Sequence, residues 1–254
     1  MDNKRIYSII YLICLVLLIN SLPFGLLIDN EVILFIINFV IKVLSIVYIL
    51  VYIKKENLNI LKFNKINTSS FRLIPLLLLC ISNFIVGLIQ NSNINEKINL
   101  FTIISGLIIS IGVSVIEELL FRSQVLEEFL KSKSKLLSVV YSSLIFGSVH
   151  LLNISSLGSI PIVLVQVCYT FFLGVVLGYI YFYSKNIALP IIFHFLFNFF
   201  NDILVKELFD VKWDIVFYLV NIFIGVILFL YIFIVSKINK VEEEDNYASE
   251  NMDN

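Results

Sequence analysis

Long apolar runs follow one another along this chain, and short polar connections separate them. At a rise of about 1.5 Å per residue, roughly 20 helical residues cross the hydrocarbon core of a bilayer, which is about 30 Å thick. The composition agrees, because 59% of the 254 residues are hydrophobic, only 15% are charged and the mean hydropathy is +0.99. A soluble domain ordinarily has about 45–50% apolar and about 25% charged residues. The sequence therefore predicts an all-α, polytopic membrane helical bundle.

Charge and cysteine usage exclude several kinds of partner and site. The net charge is −1, and no basic stripe with interleaved aromatic residues occurs outside the short loops, so nucleic acid is excluded as a partner. Cys14, Cys80 and Cys168 lie in separate apolar runs. Their wide spacing matches neither a disulfide framework nor a metal-type cluster, so we expect them to pack within the bundle.

Eight transmembrane helices are predicted from the apolar runs. They cover approximately residues 6–28, 32–53, 75–89, 98–118, 136–152, 160–183, 187–205 and 213–235. Of the 18 lysines and arginines, fourteen lie in connections on the side that carries both termini, three lie on the other side, and Lys42 lies within the second span. By the positive-inside rule, both termini are expected in the cytoplasm and the protein in the cell membrane.

Two adjacent glutamates and an arginine stand at the end of the fourth apolar run, which is expected to continue as a helix to Lys131. Ionised groups inside a membrane are costly, so they are expected to face the bundle interior and to have partners. On a helix, Glu118 and Arg122 are four residues apart and share a face, whereas Glu117 projects about 100° away. Glu118 is therefore expected to hold the arginine, and Glu117 to be free to act.

Both histidines of the chain lie inside apolar runs, and each has a companion four residues away on the same helix face. Phe146 precedes His150, and Asn198 follows His194. Counted from the lysines that flank these runs, Glu117 and His150 lie about 21–23 Å inside the membrane. His194 lies about 13 Å inside and Asn198 about 20 Å inside. These polar groups are therefore expected in one slab of the bundle.

A glutamate, two histidines and an asparagine gathered inside a membrane suit the hydrolysis of a peptide bond. A glutamate with a histidine positions a water molecule and removes its proton. A second histidine and an asparagine amide donate hydrogen bonds to the oxyanion of the tetrahedral intermediate. No cysteine lies near these residues and no serine occurs in a nucleophile-elbow context, so water is favoured over a covalent nucleophile.

Three motifs on successive apolar segments resemble the signature of a known family. They are Glu117-Glu118-x-x-x-Arg122, Phe146-x-x-x-His150 and His194-x-x-x-Asn198. In this order they resemble the CPBP family of intramembrane proteases, also called the type II CAAX prenyl endopeptidase or Abi family. The resemblance covers about residues 101–201. It implies an eight-helix fold with an intramembrane catalytic cavity open to the cytosol, and a peptide or membrane-associated protein as the substrate.

The resemblance also implies a role for each motif residue. Glu117 and His150 activate water, and His194 with Asn198 stabilises the oxyanion. The residues implied to support the site are Glu118, Arg122 and Phe146. A zinc ion held by Glu117, His150 and His194 is an alternative, because these side chains are zinc ligands by type. The sequence lacks a His-x-x-x-His pair on one helix, so water activation without a metal or another cofactor is preferred.

The chain is accordingly divided into four regions. Residues 1–97 hold the N-terminal transmembrane helices and a basic cytoplasmic loop, and residues 98–205 form the CPBP-like catalytic core. Residues 206–235 form the last transmembrane helix. The acidic tail, residues 236–254, is expected to be solvated and disordered.

Two other functional classes remain open. One is a non-catalytic protein, a bacteriocin self-immunity protein or a membrane scaffold, that keeps the motifs as structural ion pairs and hydrogen bonds. The other is an ion-coupled transporter, since buried acids, histidines and Lys42 also mark ion pathways; however, no internal repeat pairs the two halves of the chain. For Lys42, pairing with a carboxylate or snorkelling along its stem is the preferred interpretation, and participation in the chemistry is the alternative.

Overall fold

The computed structural model describes residues 3–22, 24–56, 73–90, 98–154, 160–209 and 219–235. Within these ranges the chain forms helices and turns, and no β-strand occurs. The helices are α1 (Asn3–Asn20), α2 (Glu31–Lys55), α3 (Leu73–Ile89), α4 (Leu100–Leu130), α5 (Lys135–Asn153), α6 (Ile160–Ser184), α7 (Ala188–Phe209) and α8 (Leu219–Val235). The prediction of an all-α bundle is confirmed.

Among the described residues, five helices are long and apolar enough to cross a membrane, namely α2, α4, α5, α6 and α7. The helices α3 and α8 are apolar but shorter. The chain is therefore an integral membrane protein with several spans, and the count of eight spans stays a prediction. The basic loop beyond Glu56, the start of the predicted eighth span and the acidic tail at 236–254 lie outside the described residues.

The first helix is shorter than its apolar run suggested, because α1 ends at Asn20. The Asn20 amide donates hydrogen bonds to the carbonyl of Val16 at 2.8 Å and to Oγ of Ser45, on α2, at 2.9 Å. This polar side chain thus finds its partners at a helix end and against a neighbouring helix. The chain continues as a short 3-10 helix, Phe24–Leu26, so the prediction of a first helix reaching residue 28 is wrong.

The helix α4 carries the charged motif and begins at a capping asparagine. Oδ1 of Asn99 accepts hydrogen bonds from the backbone N–H groups of Phe101 at 3.0 Å and Thr102 at 3.3 Å. Such a cap satisfies amide donors that lack a partner in the first helical turn. From there α4 runs for 31 residues, which confirms the prediction of one long helix through the motif. Its turn Phe121–Leu126 is π-helical, a feature often found at functional sites.

Close packing of α5 against α6 fixes the position of Phe146. A Cβ atom placed on Gly174 would lie 3.0 Å from Cδ1 of Phe146 and 3.0 Å from Cβ of Ser143. One turn later, a Cβ atom on Gly178 would lie 3.1 Å from Cγ1 of Val139. Glycines four residues apart let two helices approach closely, and this approach leaves the Phe146 ring fully buried.

Ionic contacts join the start of α1 to the end of α4. The carboxylate of Glu128 lies 2.7 Å from Nε of Arg5 and 2.7 Å from Nζ of Lys131. Beside it, the hydroxyl of Tyr181 donates a hydrogen bond to Glu127 at 2.7 Å. The N-terminus of α1 and the C-terminus of α4 therefore lie at the same end of the bundle.

Candidate active site

A fully buried carboxylate, Glu118, connects two helices at the centre of the site. Its Oε1 accepts a hydrogen bond from Nδ1 of His194, on α7, at 2.9 Å. Its Oε2 lies 2.9 Å from Nε of Arg122, one turn further along α4. The structure thus shows the ion pair that the spacing of Glu118 and Arg122 predicted, and it adds a contact between helices that no spacing along the chain could indicate.

The guanidinium of Arg122 is fully buried between Glu118 and an aromatic ring. Its Cζ atom lies 5.0 Å from the ring centroid of Phe146. The contact with Glu118 is close but not aligned as a hydrogen bond, and no Arg122 nitrogen has a hydrogen-bond partner among the described residues. The ion pair and the cation–π contact therefore stabilise the charge where hydrogen bonds do not.

The ring of Phe146 lies between the two histidines. Its centroid is 5.2 Å from that of His150 and 5.8 Å from that of His194, and both contacts are edge to face. The ring of Phe121 contacts it at 5.0 Å in the same geometry. Edge-to-face contacts favour defined ring orientations, so Phe146 acts as a packing centre that sets both imidazole planes.

The backbone of α5 determines which nitrogen of His150 carries the proton in the neutral ring. Nδ1 of His150 lies 2.9 Å from the carbonyl oxygen of Phe146. A carbonyl oxygen only accepts hydrogen bonds, so Nδ1 carries the proton in the neutral ring, and Nε2 is left as an acceptor. His150 also begins the short 3-10 turn His150–Asn153 that ends α5.

Glu117 and Glu118 have different surroundings although they are adjacent in the chain. The Glu117 side chain is 17% exposed, whereas that of Glu118 is 0% exposed. Oε2 of Glu117 lies 3.6 Å from Nε2 of His194, which is beyond hydrogen-bond distance. His194 is therefore held firmly by one glutamate and faces the other across a wider gap.

A cavity of about 150 Å³ lies beside Glu117. Its polar lining includes Lys42 from α2 and Asn20 from α1, and it includes His150 and Asn153 from α5. The rest of the lining is largely apolar, with side chains such as Ile116 and Val149. A polar cavity of this size has room for several water molecules. Glu117 and His150 thus share one space in which a water molecule and a carbonyl group can meet.

The structure brings together most of the predicted site residues. Glu118, Arg122, Phe146 and His194 form one chain of contacts, and Glu117 and His150 line the cavity beside it. Asn198 lies one turn after His194, is half-buried and makes no side-chain hydrogen bond with the described residues. The catalytic roles of these residues, including that of Asn198, stay predictions.

Sequence reasoning missed two amides of the cavity lining and misjudged a lysine. Asn153 directly follows the fifth apolar run, a position that resembles an ordinary polar turn, and Asn20 lies within the run predicted as the first span. Lys42 was expected to pair with a carboxylate or to snorkel to the membrane surface. Instead it is 7% exposed, lines the cavity together with Glu117 and forms no ion pair with a described carboxylate.

The zinc site considered from the sequence, with Glu117, His150 and His194 as ligands, stays a prediction. Within the described part of the chain, no group of three or more His, Cys, Asp and Glu side chains is arranged to hold a metal ion. Nδ1 of His194 contacts Glu118 and Nδ1 of His150 contacts a backbone carbonyl, so Nε2 is the nitrogen of each ring that would bind a metal. Water activation by Glu117 and His150 without a metal stays the preferred prediction.

Together, the fold and the site define a class, a polytopic helical membrane protein with glutamate, histidine and arginine side chains gathered beside a polar cavity inside the bundle. Residues 99–200 match the family model described as type II CAAX prenyl endopeptidase Rce1-like. This match contains all three motifs and confirms the resemblance of residues 99–200 to the CPBP family. At family level it implies a CAAX-protease-like intramembrane endopeptidase, a peptide hydrolase. In a comparison with curated proteins, none matched the chain.

Proposed function

We propose that this protein is an intramembrane endopeptidase that hydrolyses a peptide bond in a membrane-associated substrate. The observation that carries the proposal is the shared cavity, where the partly exposed carboxylate of Glu117 and the imidazole of His150 line one polar space. A base beside a space that admits water is what water activation requires. The family match over residues 99–200 supports the same chemistry.

In the proposed reaction, a water molecule in the cavity gives a proton to Glu117, and Nε2 of His150 accepts a hydrogen bond from it. The water oxygen attacks the carbonyl carbon, and the carbonyl electrons move to oxygen to form the tetrahedral oxyanion. Asn198 is the proposed donor to that oxyanion from α7, and His194, whose Nδ1–H is held by Glu118, donates from Nε2 when that nitrogen also carries a proton. When the intermediate collapses, the leaving amine takes the proton back from the Glu117 and His150 pair.

The pair of Glu118 and Arg122 positions His194 in this proposal. The imidazole is held by the 2.9 Å hydrogen bond to Glu118, and Glu118 is held by Arg122 on its own helix. A ligand or catalytic histidine whose second nitrogen is bound by a carboxylate keeps one ring orientation. Glu118 and Arg122 therefore act through His194 and do not touch the substrate.

The proposed location is the cell membrane, with both termini on the cytoplasmic side. The strong asymmetry of lysine and arginine between the two sets of connections supports it. The contacts of Glu128 with Arg5 and Lys131 also place basic residues of two distant segments at one end of the bundle.

A non-catalytic self-immunity or scaffold protein is the second candidate, because Glu118, Arg122 and His194 would stabilise the bundle even without turnover. The two candidates differ at Glu117, whose carboxylate has no such structural contact. The test uses purified protein in liposomes with a synthetic peptide that carries a farnesylated cysteine followed by three residues. Cleavage by the native protein and its loss in Glu117→Gln support the endopeptidase. A Glu117→Gln variant that keeps the full cellular phenotype supports the scaffold.

A further inference from the structure

Lys42 lies inside the membrane and opens onto the same cavity as the proposed water-activating residues. It stands near the middle of α2 and is 7% exposed. The cavity lining brings it together with Glu117 of α4 and His150 of α5. It belongs to none of the three motifs and lies outside residues 99–200, which match the family.

The path of the Lys42 stem is set by a close approach of α2 and α4. A Cβ atom on Gly112 would lie 3.0 Å from Cβ and 3.2 Å from Cγ of Lys42. The glycine therefore provides the surface on which the lysine stem lies, a little more than one helical turn before Glu117. This arrangement holds the ammonium group within the bundle and keeps it from reaching the membrane surface by snorkelling.

The other described carboxylates of this region already have partners. Glu118 is paired with Arg122, Glu128 with Arg5 and Lys131, and Glu127 accepts a hydrogen bond from Tyr181. Lys42 forms no ion pair with a described carboxylate, and Glu117 lines the same cavity. A buried ammonium group without a contacting anion is costly. We expect a protein to retain such a costly group where it stabilises a negative charge that develops during function.

We propose that the ammonium group of Lys42 is a further catalytic group, which stabilises the oxyanion formed when water attacks a peptide carbonyl in this cavity. This assignment rests on the proposed endopeptidase function. The carbonyl electrons move to oxygen as the bond from water forms, one water proton goes to Glu117, and Nε2 of His150 accepts a hydrogen bond from the same water. Lys42 keeps its proton throughout. When the amine leaves, the electron pair on the oxyanion forms the carbonyl bond again.

The geometry explains why a lysine of α2 complements the residues of α7. His194 is turned towards the two glutamates, and Asn198 is not among the residues that line the cavity. Lys42 does line it, together with the proposed base. A charge that is already in place at the developing oxyanion acts strongly in a site of low dielectric constant, because no solvent has to reorganise. The catalytic centre would thus include a residue from the N-terminal helices.

Substitutions of Lys42 separate its charge from its packing. Lys42→Met keeps an unbranched stem over Gly112 and removes the charge, whereas Lys42→Arg keeps a cation. With the farnesylated peptide in liposomes, we expect Lys42→Met to lower kcat about 10²-fold to 10³-fold, the usual loss for one oxyanion donor, with KM nearly unchanged. Lys42→Arg is expected to recover part of kcat. Lys55→Met is the matched control, because Lys55 is exposed on the same helix, and it should leave kcat unchanged.

Chemical rescue provides a second test. If Lys42 served only in packing, restoring its charge would not restore kcat. Lys42→Cys, alkylated with 2-bromoethylamine, regains an ammonium group on a side chain of nearly native length. We expect alkylation to raise its kcat towards the native value. The native protein treated in the same way is the control, because Cys14, Cys80 and Cys168 are also present.

The outcomes distinguish this assignment from the proposed function. If the native protein does not cleave the peptide, both the endopeptidase proposal and the role of Lys42 are overturned. If the native protein cleaves it and Lys42→Met retains full kcat, the role of Lys42 alone is overturned. It is also overturned if Lys42→Met loses activity in proportion to a loss of folded protein, or if alkylation of Lys42→Cys restores nothing.

Discussion

Oε1 of Glu118 lies 2.9 Å from Nδ1 of His194, across the contact between α4 and α7. The same carboxylate faces Arg122 on its other oxygen, and all three side chains are buried. Glu118 thus fixes His194 on α7 and neutralises Arg122, which lies one turn further along α4. It makes the position of the proposed α7 donors depend on an ion pair within α4.

Glu118→Gln is expected to destabilise the protein strongly, because it leaves the Arg122 charge buried without its carboxylate. Breaking a buried ion pair by removing one partner costs about 3–5 kcal/mol. The measurement is the free energy of unfolding in detergent, from denaturant titration followed by circular dichroism. Lys206→Gln is the control, because its ion pair with Asp202 is about half exposed and such pairs contribute little. Equal stability of Glu118→Gln and the native protein would contradict the structural role of Glu118.

Glu117→Gln is expected to abolish turnover while the free energy of unfolding changes little. The Glu117 side chain is partly exposed to the cavity, and its Oε2 lies 3.6 Å from Nε2 of His194. Loss of a general base ordinarily lowers the rate about 10²-fold to 10⁴-fold. The measurement is kcat with the farnesylated peptide, together with the unfolding curve of the same sample. Glu31→Gln, at the exposed start of α2, is the matched control. A Glu117→Gln variant with native kcat would show that this carboxylate does not activate water.

The two glutamate substitutions also show what could be predicted from the sequence. The i, i+4 spacing placed Glu118 beside Arg122 and turned Glu117 away, since helix geometry alone decides both. The hydrogen bond between Glu118 and His194 could not be predicted in this way. It depends on how α7 is rotated against α4, which is set by side-chain packing between residues 76 positions apart.

Local interruptions of the helices were harder to predict than the helices themselves. Apolar length indicated α4 as one long helix, but nothing in the sequence indicated the π-helical turn Phe121–Leu126 or the end of α1 at Asn20. Both depend on partners from other helices, since Ser142 donates a hydrogen bond to the carbonyl of Phe121 and Ser45 accepts one from Asn20. Such contacts become visible only when the helices are packed.

Treatment with a chelator is expected to leave turnover unchanged, because the proposed mechanism activates water with Glu117 and His150 alone. The measurement is kcat before and after dialysis of the active protein against EDTA and 1,10-phenanthroline, with elemental analysis of both samples. A known zinc peptidase treated in parallel serves as the control for metal removal. Stoichiometric zinc whose removal stops turnover, and whose return restores it, would contradict the metal-free mechanism.

Gly174→Ala is expected to lower both stability and activity through Phe146. The new Cβ atom would lie 3.0 Å from the Phe146 ring and from Ser143, closer than ordinary packing permits. Overpacking of this kind costs about 1–3 kcal/mol. Any shift of the ring also moves the planes of His150 and His194, which contact it.

The matched control for this substitution is Gly25→Ala, where the nearest atom to the new Cβ, in Leu34, would be 3.8 Å away. We expect the control to keep native stability and kcat. In Gly174→Ala, kcat measured per folded molecule should fall together with the unfolding free energy, because the same ring serves packing and histidine orientation. A variant that is destabilised but retains native kcat per folded molecule would show that Phe146 packs the bundle without orienting the histidines.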